Sequence, residues 1–237
     1  MENTLLIDAA RRLRDAVEPL TFSPPVTHTY NPLIYAWAAH REYLARYGAS
    51  PKKVLFVGMN PGPFGMAQTG IPFGEIAAVR DWLKIKAPVD KPIIENPHRP
   101  IEGFDCPRSE VSGRRLWGLF QERFVTPTRF FADHFVLNYC PLAFFSEGKN
   151  ITPDQLPITE QTPLLDACDA HLSDTVKILK PRWVIGVGAW AEKRLKTALA
   201  DAPVNIGRIL HPSPASPAAN QGWDRKATEA LVRLGVW

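Results

Sequence analysis

Cysteine is scarce: Cys106, Cys140 and Cys168 are the only three in 237 residues. An odd number, spaced about 30 residues apart, gives neither a paired disulfide framework nor the CxxC spacing of a zinc site. The expectation is small buried or half-buried thiols and no metal. Long apolar runs are also missing: no stretch approaches the roughly 18 residues a membrane helix needs. The opening MENTLLIDAARRLRDAVEPL is amphipathic and lacks the cleavage site of a signal peptide. A cytoplasmic protein with no membrane partner is expected. Internal repeats, low-complexity tracts and linkers are absent. No sign of charge dominates either, since the formal balance is only +4, a mild basic excess that suits a polyanionic partner without demanding one.

What is present is a chain with 45% hydrophobic residues, enough to bury one sizeable core without staples. A single domain over residues 1–237 is expected, with residues 1–25 as an N-terminal helical extension packed on it. The 23 prolines gather in short groups (SPP, NPGP, HRP, HPSPASP) that rigidify loops between periodic segments. Apolar spacing of three and four predicts helices over 2–18 and 31–47, the second capped by Asn31 with Pro32 at its first position. VLFVG at 54–58 is a continuous apolar run ending in Gly, Asn and Pro, the form of a buried parallel strand entering a functional turn. FVLNYC at 135–140, WVIGVG at 183–188 and NIGRIL at 205–210 are further strands, with helical patterns near 112–122, 162–180 and 189–200. Alternating strand and helix implies a parallel sheet covered on both faces, with ligands gathering at the carboxyl ends of its strands. The unusual sequences fall at those ends: GMNPGPFG after the first strand, NYCPL at the end of the second and HPSPASP after the last.

GMNPGPFG is glycine-rich, yet it is neither GxGxxG nor GxxxxGK[ST], and its prolines remove N–H donors that a phosphate nest would use. Read with GMAQTGIPFGE and HPSPASPAAN, it resembles the single-strand-selective monofunctional uracil-DNA glycosylase family, family three of the uracil-DNA glycosylase superfamily, in a bacterial-type member. The likeness continues through VRDWL, CPRSEVSG, FVLNYCPL, ITPDQLP and VIGVGAWAE, over roughly residues 52–235. It implies a three-layer α/β/α fold around a four-stranded parallel sheet, a DNA partner, a monomer, no cofactor, and release of uracil and C5-modified uracils from single- and double-stranded DNA.

Uracil shows an N3–H donor beside the O4 acceptor, and one side-chain amide can meet both. By resemblance Asn138 is the base reader. Cytosine reverses the two groups and is refused if neighbours prevent the amide from flipping. Hydrolysis builds negative charge on the departing base, so a donor to that base accelerates it. His211 is similar in position to the family's catalytic histidine; His28, His40, His98, His134 and His171 read as surface or packing residues. Asn60 resembles the residue that positions the attacking water. Phe73 would supply a stacking wall, and Met59 and Gly62 would border the pyrimidine C5 edge, with Gly62 leaving room for a water or a polar C5 substituent. Admission of hydroxymethyluracil and formyluracil follows from that room, and thymine is rejected because its methyl cannot replace the displaced water's hydrogen bonds.

A base must leave the duplex stack to reach such a pocket. The segment 212–221, led by Pro212, Ser213, Pro214, Ala215, Ser216 and Pro217, would be the wedge. Ala215 stands where vertebrate members carry Arg, which implies weaker plugging of the duplex. Lys149, Arg208 and Arg225 are further basic residues near these loops. No lysine occupies a catalytic motif, so base removal without strand cleavage is expected. Rival readings are the same fold acting on deaminated purines, and a non-catalytic sensor of damaged DNA, against which retention of Asn60 and His211 argues. A zinc deaminase is excluded by the missing HxE and PCxxC motifs.

Overall fold

The computed structural model describes residues 4–49 and 51–237. Helix α1 (Thr4–Val17) turns Leu6, Ile7, Ala10, Leu13 and Val17 inward at the three-and-four spacing of one helical face. Glu2 and Asn3, at the start of the predicted helix, lie outside the described residues. The expected helix over 31–47 is two: α2 (Pro32–Tyr35), capped by Asn31 Oδ1 accepting from the Leu33 N–H, and α3 (Trp37–Tyr47). Ala36, at φ −112 and ψ 24, breaks the register between them. No glycine or proline marks that break in the sequence.

Four strands form the expected parallel sheet: β2 (Val54–Gly58), β3 (His134–Asn138), β6 (Trp183–Val187) and β7 (Asn205–Ile209), in the order β3-β2-β6-β7. Every residue of β2 and β3 is buried, so both faces of the sheet are covered, which is why these strands read as unbroken apolar runs. The covering helices include α5 (Val111–Phe124), α6 (Pro127–Asp133), α7 (Ile158–Leu179), α8 (Ala189–Ala198) and α9 (Trp223–Arg233). Helix α1 packs on α7, and its inward face (Leu6, Ile7, Ala10, Leu13 and Val17) joins the main core. Phe56, Trp117, Phe120 and Phe130 form its aromatic centre, with Phe120 and Phe130 stacked at 4.3 Å. Truncating one of these to alanine would cost about 3–5 kcal/mol.

A second sheet was not anticipated. β1 (His28–Tyr30), β4 (Ala143–Ser146) and β5 (Lys149–Ile151) make a small antiparallel sheet in the order β1-β4-β5. Its strands are three or four residues long, too short for period-two alternation to show. The short helix α4 (Met66–Thr69) lies in the long connection after β2.

Candidate active site

Register brings the site together. Parallel pairing sets Gly58 opposite Asn138, and the ladder continues as the Tyr139 and Cys140 N–H groups donate to the carbonyls of Gly58 and Met59 at 2.9 and 2.8 Å. On the other side of β6, Gly188 N–H donates to the Ile209 carbonyl at 2.9 Å, two residues before His211. The carboxyl ends of three strands therefore open on a common cavity of about 340 Å³. Met59, Asn60, Gly62, Phe73, Asn138, His211 and Ser213 all line it. These include every residue expected to bind the base or act in catalysis. A larger cavity of about 550 Å³ lies between the end of α7 and the loop after α8, at the amino ends of β6 and β7 and so at the opposite end of the strands from these groups.

Asn60, His211 and Asn138 each have one end committed. Asn60 Nδ2 donates to the Leu142 carbonyl at 3.2 Å, leaving its Oδ1 to accept from a water. The Ser213 N–H donates to His211 Nδ1 at 3.1 Å. A backbone N–H cannot accept, so Nδ1 is the bare nitrogen and Nε2 bears the proton. Burial lowers the His211 pKa, which keeps the ring neutral at pH 7. Asn138 is buried, its Nδ2 sits 3.2 Å from Met66 Sδ, and its Oδ1 has no partner. An unsatisfied buried acceptor costs about 1–3 kcal/mol, a cost that a ligand donor would remove.

Backbone geometry crowds these groups into place. Phe73 holds φ +53, unusual for a bulky residue, and its ring lies 6.3 Å from the His211 ring at 45°. A Cβ on Gly58 would come within 2.5 Å of the Phe73 ring, so only glycine lets that wall approach the strand end. Gly188, at φ +100, packs against His211, where an added Cβ would lie 3.1 Å from the histidine Cβ.

The space beside Gly62 differs from expectation. It is filled by the Glu110 carboxyl, which faces both Gly62 and Gly65, so the absent side chain makes room for Glu110 and not for open solvent. Burial, aided by Glu75, raises the Glu110 pKa to about 7, and its Oε2 has no partner. Sequence reasoning passed over Glu110, which stands at the start of α5 in CPRSEVSG. It also passed over Met66 and the small sheet that contributes Phe144, Phe145 and Asn150 to the cavity. The one available signal was that these residues fall inside or beside the matching sequence blocks.

The segment after β7 is a compact turn. Ser213 Oγ accepts from the Ala215 N–H at 3.2 Å and the Ser213 carbonyl from the Ser216 N–H at 3.0 Å, leaving Pro214 and Ala215 exposed at the tip. Pro212 is buried, and Pro217 begins a single 3₁₀ turn to Asn220. Of the basic residues named from sequence, Arg208 pairs with Glu192 and Arg225 with Glu229, while Lys149 stands exposed on β5. Among the described residues no group of three or more His, Cys, Asp or Glu could hold a metal, and no helix is long and apolar enough to cross a membrane.

Fold and cavity define a class: a parallel α/β protein whose strand ends open on one pocket lined by the Asn138 and Asn60 amides and the His211 imidazole. Comparison with known proteins makes the class specific. Residues 45–233 match the uracil DNA glycosylase superfamily, and the chain belongs to that superfamily. It is 51% identical over 228 residues to the single-strand selective monofunctional uracil DNA glycosylase of Bos taurus, covering 95% of this chain and 84% of that one. The Mus musculus protein of the same name is 50% identical, covering 95% and 82%. Both alignments reach into the first 25 residues, which carried no recognised motif. These relatives are mammalian, so they support the family without the bacterial type. The crystal structure of wild-type Pedobacter heparinus SMUG2 shares the fold with a TM-score of 0.67 at 18% identity, covering 96% of this chain and 98% of that one.

Proposed function

We propose that this protein hydrolyses the N-glycosidic bond of uracil in DNA, releasing the free base and leaving an abasic site, in base excision repair. The observation that carries the reading is the set of committed groups around one cavity: a bare acceptor at Asn138, a donor at His211 Nε2 and a free acceptor at Asn60. Phe73 forms the wall on which a flipped base stacks, a contact worth about 1–3 kcal/mol. Asn138 Oδ1 accepts from uracil N3–H while its second amide hydrogen reaches O4. As the C1′–N1 bond breaks, its electron pair leaves with the base, and His211 Nε2–H stabilises that anion as a neutral donor. Water held by Asn60 then adds its oxygen to C1′, and its surplus proton passes to the released base anion, giving free uracil and the abasic sugar. An amide takes no proton from that water, so the leaving-group side supplies most of the rate enhancement and His211 is the more damaging loss.

Pro214 and Ala215, exposed at the tip of the turn, act as the wedge that holds the duplex open. A polar C5 substituent meets the unpartnered carboxyl of Glu110, which in its protonated form offers hydroxymethyluracil or formyluracil a donor. In this proposal the protein is a bacterial-type member of the family and acts as a cytoplasmic monomer. The test is incubation with an oligonucleotide carrying one uracil, single-stranded and duplex, followed by alkali. Cleavage only after alkali is expected, with about a hundredfold or greater loss in His211→Ala and a smaller one in Asn60→Ala. An intact strand with wild-type protein would overturn the reading and turn attention to xanthine and hypoxanthine.

A further inference from the structure

An amide can tell one base from another only if it cannot turn over. Its two ends are almost the same size, and half a turn exchanges donor for acceptor. Uracil offers a ring N–H beside a carbonyl, cytosine a bare ring nitrogen beside an amino group, so a freely turning Asn138 would serve both. Asn138 Oδ1 is sealed from solvent and has no partner to hold it. The hydrogen bond that the side chain does make runs from Nδ2 to Met66 Sδ at 3.2 Å. A thioether carries no hydrogen and can only accept, so the amino end gains at the sulfur while a carbonyl oxygen placed there would meet lone pairs. The sulfur is itself a fixed point. Met66 is 2% exposed and opens α4, whose turn is closed by the Gly70 N–H donating to the Met66 carbonyl at 2.8 Å.

We propose that Met66 is a specificity-determining positioning residue, whose sulfur holds the Asn138 amide in the one orientation that accepts a uracil edge and refuses a cytosine edge. With one Nδ2 hydrogen on sulfur, the second remains for a base carbonyl and Oδ1 remains for a ring N–H. Turning the amide to suit cytosine breaks the bond to sulfur and brings two buried acceptors together. This inference rests on the reading of Asn138 as base reader.

Met66→Leu keeps the apolar volume and removes the acceptor. Single-turnover excision is measured on single-stranded oligonucleotides carrying one uracil or one cytosine as the target, alongside thermal melts. Met66→Leu is expected to lower the uracil rate several-fold and to make cytosine excision measurable, so that the uracil-to-cytosine ratio falls by about tenfold or more. Selenomethionine-labelled protein should keep the ratio of the unlabelled protein, because selenium also accepts. If Met66→Leu does not fold, norleucine incorporated in a Met59→Leu background replaces the sulfur by a methylene of nearly the same shape, and the same fall is expected relative to that background. An unchanged uracil rate in a folded variant, or a loss of uracil excision with no gain on cytosine, overturns the lock. Asn138→Ala separates the two levels: if it retains uracil excision, the base-reader assignment fails and the lock with it, whereas if it abolishes excision, an unshifted ratio in Met66→Leu counts against the lock alone.

Discussion

At His211 the place of a single proton decides what the side chain can do. The Ser213 N–H at Nδ1 leaves Nε2–H as the donor, and burial disfavours a second proton. Protonation of Nδ1 would set two N–H groups against each other, so the acid form also breaks the turn. Nitrogen NMR should find the Nε2–H tautomer at pH 7 and a titration midpoint below 6.5; an Nδ1–H signal would contradict the arrangement. Gly188 bears on the same ring. At φ +100, with an added Cβ only 3.1 Å from the His211 Cβ, Gly188→Ala must strain the backbone or push the histidine. A shift of about 1 Å can cost a hundredfold in rate, so kcat should fall 10- to 100-fold while the melting temperature drops by only a few degrees. Unchanged kcat would show that the ring has slack.

Elements fix what single residues cannot. Arg115 on α5 donates to the Pro212 carbonyl at 2.8 Å and to Asn220 Oδ1 at 3.0 Å, and Asn220 Nδ2 donates to the Pro214 carbonyl at 2.9 Å. One helix thus ties both ends of the turn that begins at His211. Arg115→Ala should loosen that turn, with about a tenfold loss of excision from duplex DNA and a smaller loss from single strands if the turn is the proposed wedge, which only the duplex needs. Equal losses on both would place the clamp's effect at His211 instead. Replacing Ala215 by Arg at the exposed tip should raise the duplex-to-single-strand ratio, and no change in that ratio would argue against the tip as wedge. The long elements were legible in the sequence because burial on both faces makes parallel strands unbroken apolar runs, as in VLFVG and FVLNYC. The residues that line the cavity were legible because Asn60, Asn138 and His211 fall at or just beyond strand ends within recognisable blocks. Ala36, the antiparallel sheet and Glu110 were not. The break at Ala36 lacks a glycine or proline, the small strands are too short for periodicity, and Glu110 reaches Gly62 and Gly65 across some 45 residues of chain, a contact that local pattern cannot encode.

Over the whole molecule, these buried groups set how stability responds to pH. Burial lowers the pKa of His40, His134 and His171 to about 4. Carbonyls of Gly70 and Phe130 accept at His40 Nδ1 and His134 Nδ1 at 2.7 and 3.0 Å, so both rings are held neutral with Nδ1 protonated. Between pH 6.5 and about 4 the unfolded chain protonates these histidines and the folded chain does not, so stability is lost as pH falls through that window. Glu110 acts in the opposite sense. With its pKa raised to about 7 from 4.5, the folded state binds a proton that the unfolded state gives up, so folding gains stability as pH falls from 7 towards 4.5. Each group contributes at most about 1.4 kcal/mol per pH unit, and three histidines outweigh one carboxyl. Denaturant titrations should therefore show lower stability at pH 5 than at pH 7. Glu110→Gln removes the opposing contribution, so it should raise stability at pH 8, by about 1–3 kcal/mol, and steepen the decline towards pH 5. Parallel pH curves for wild type and Glu110→Gln would mean that the Glu110 carboxyl titrates as it does in the unfolded chain.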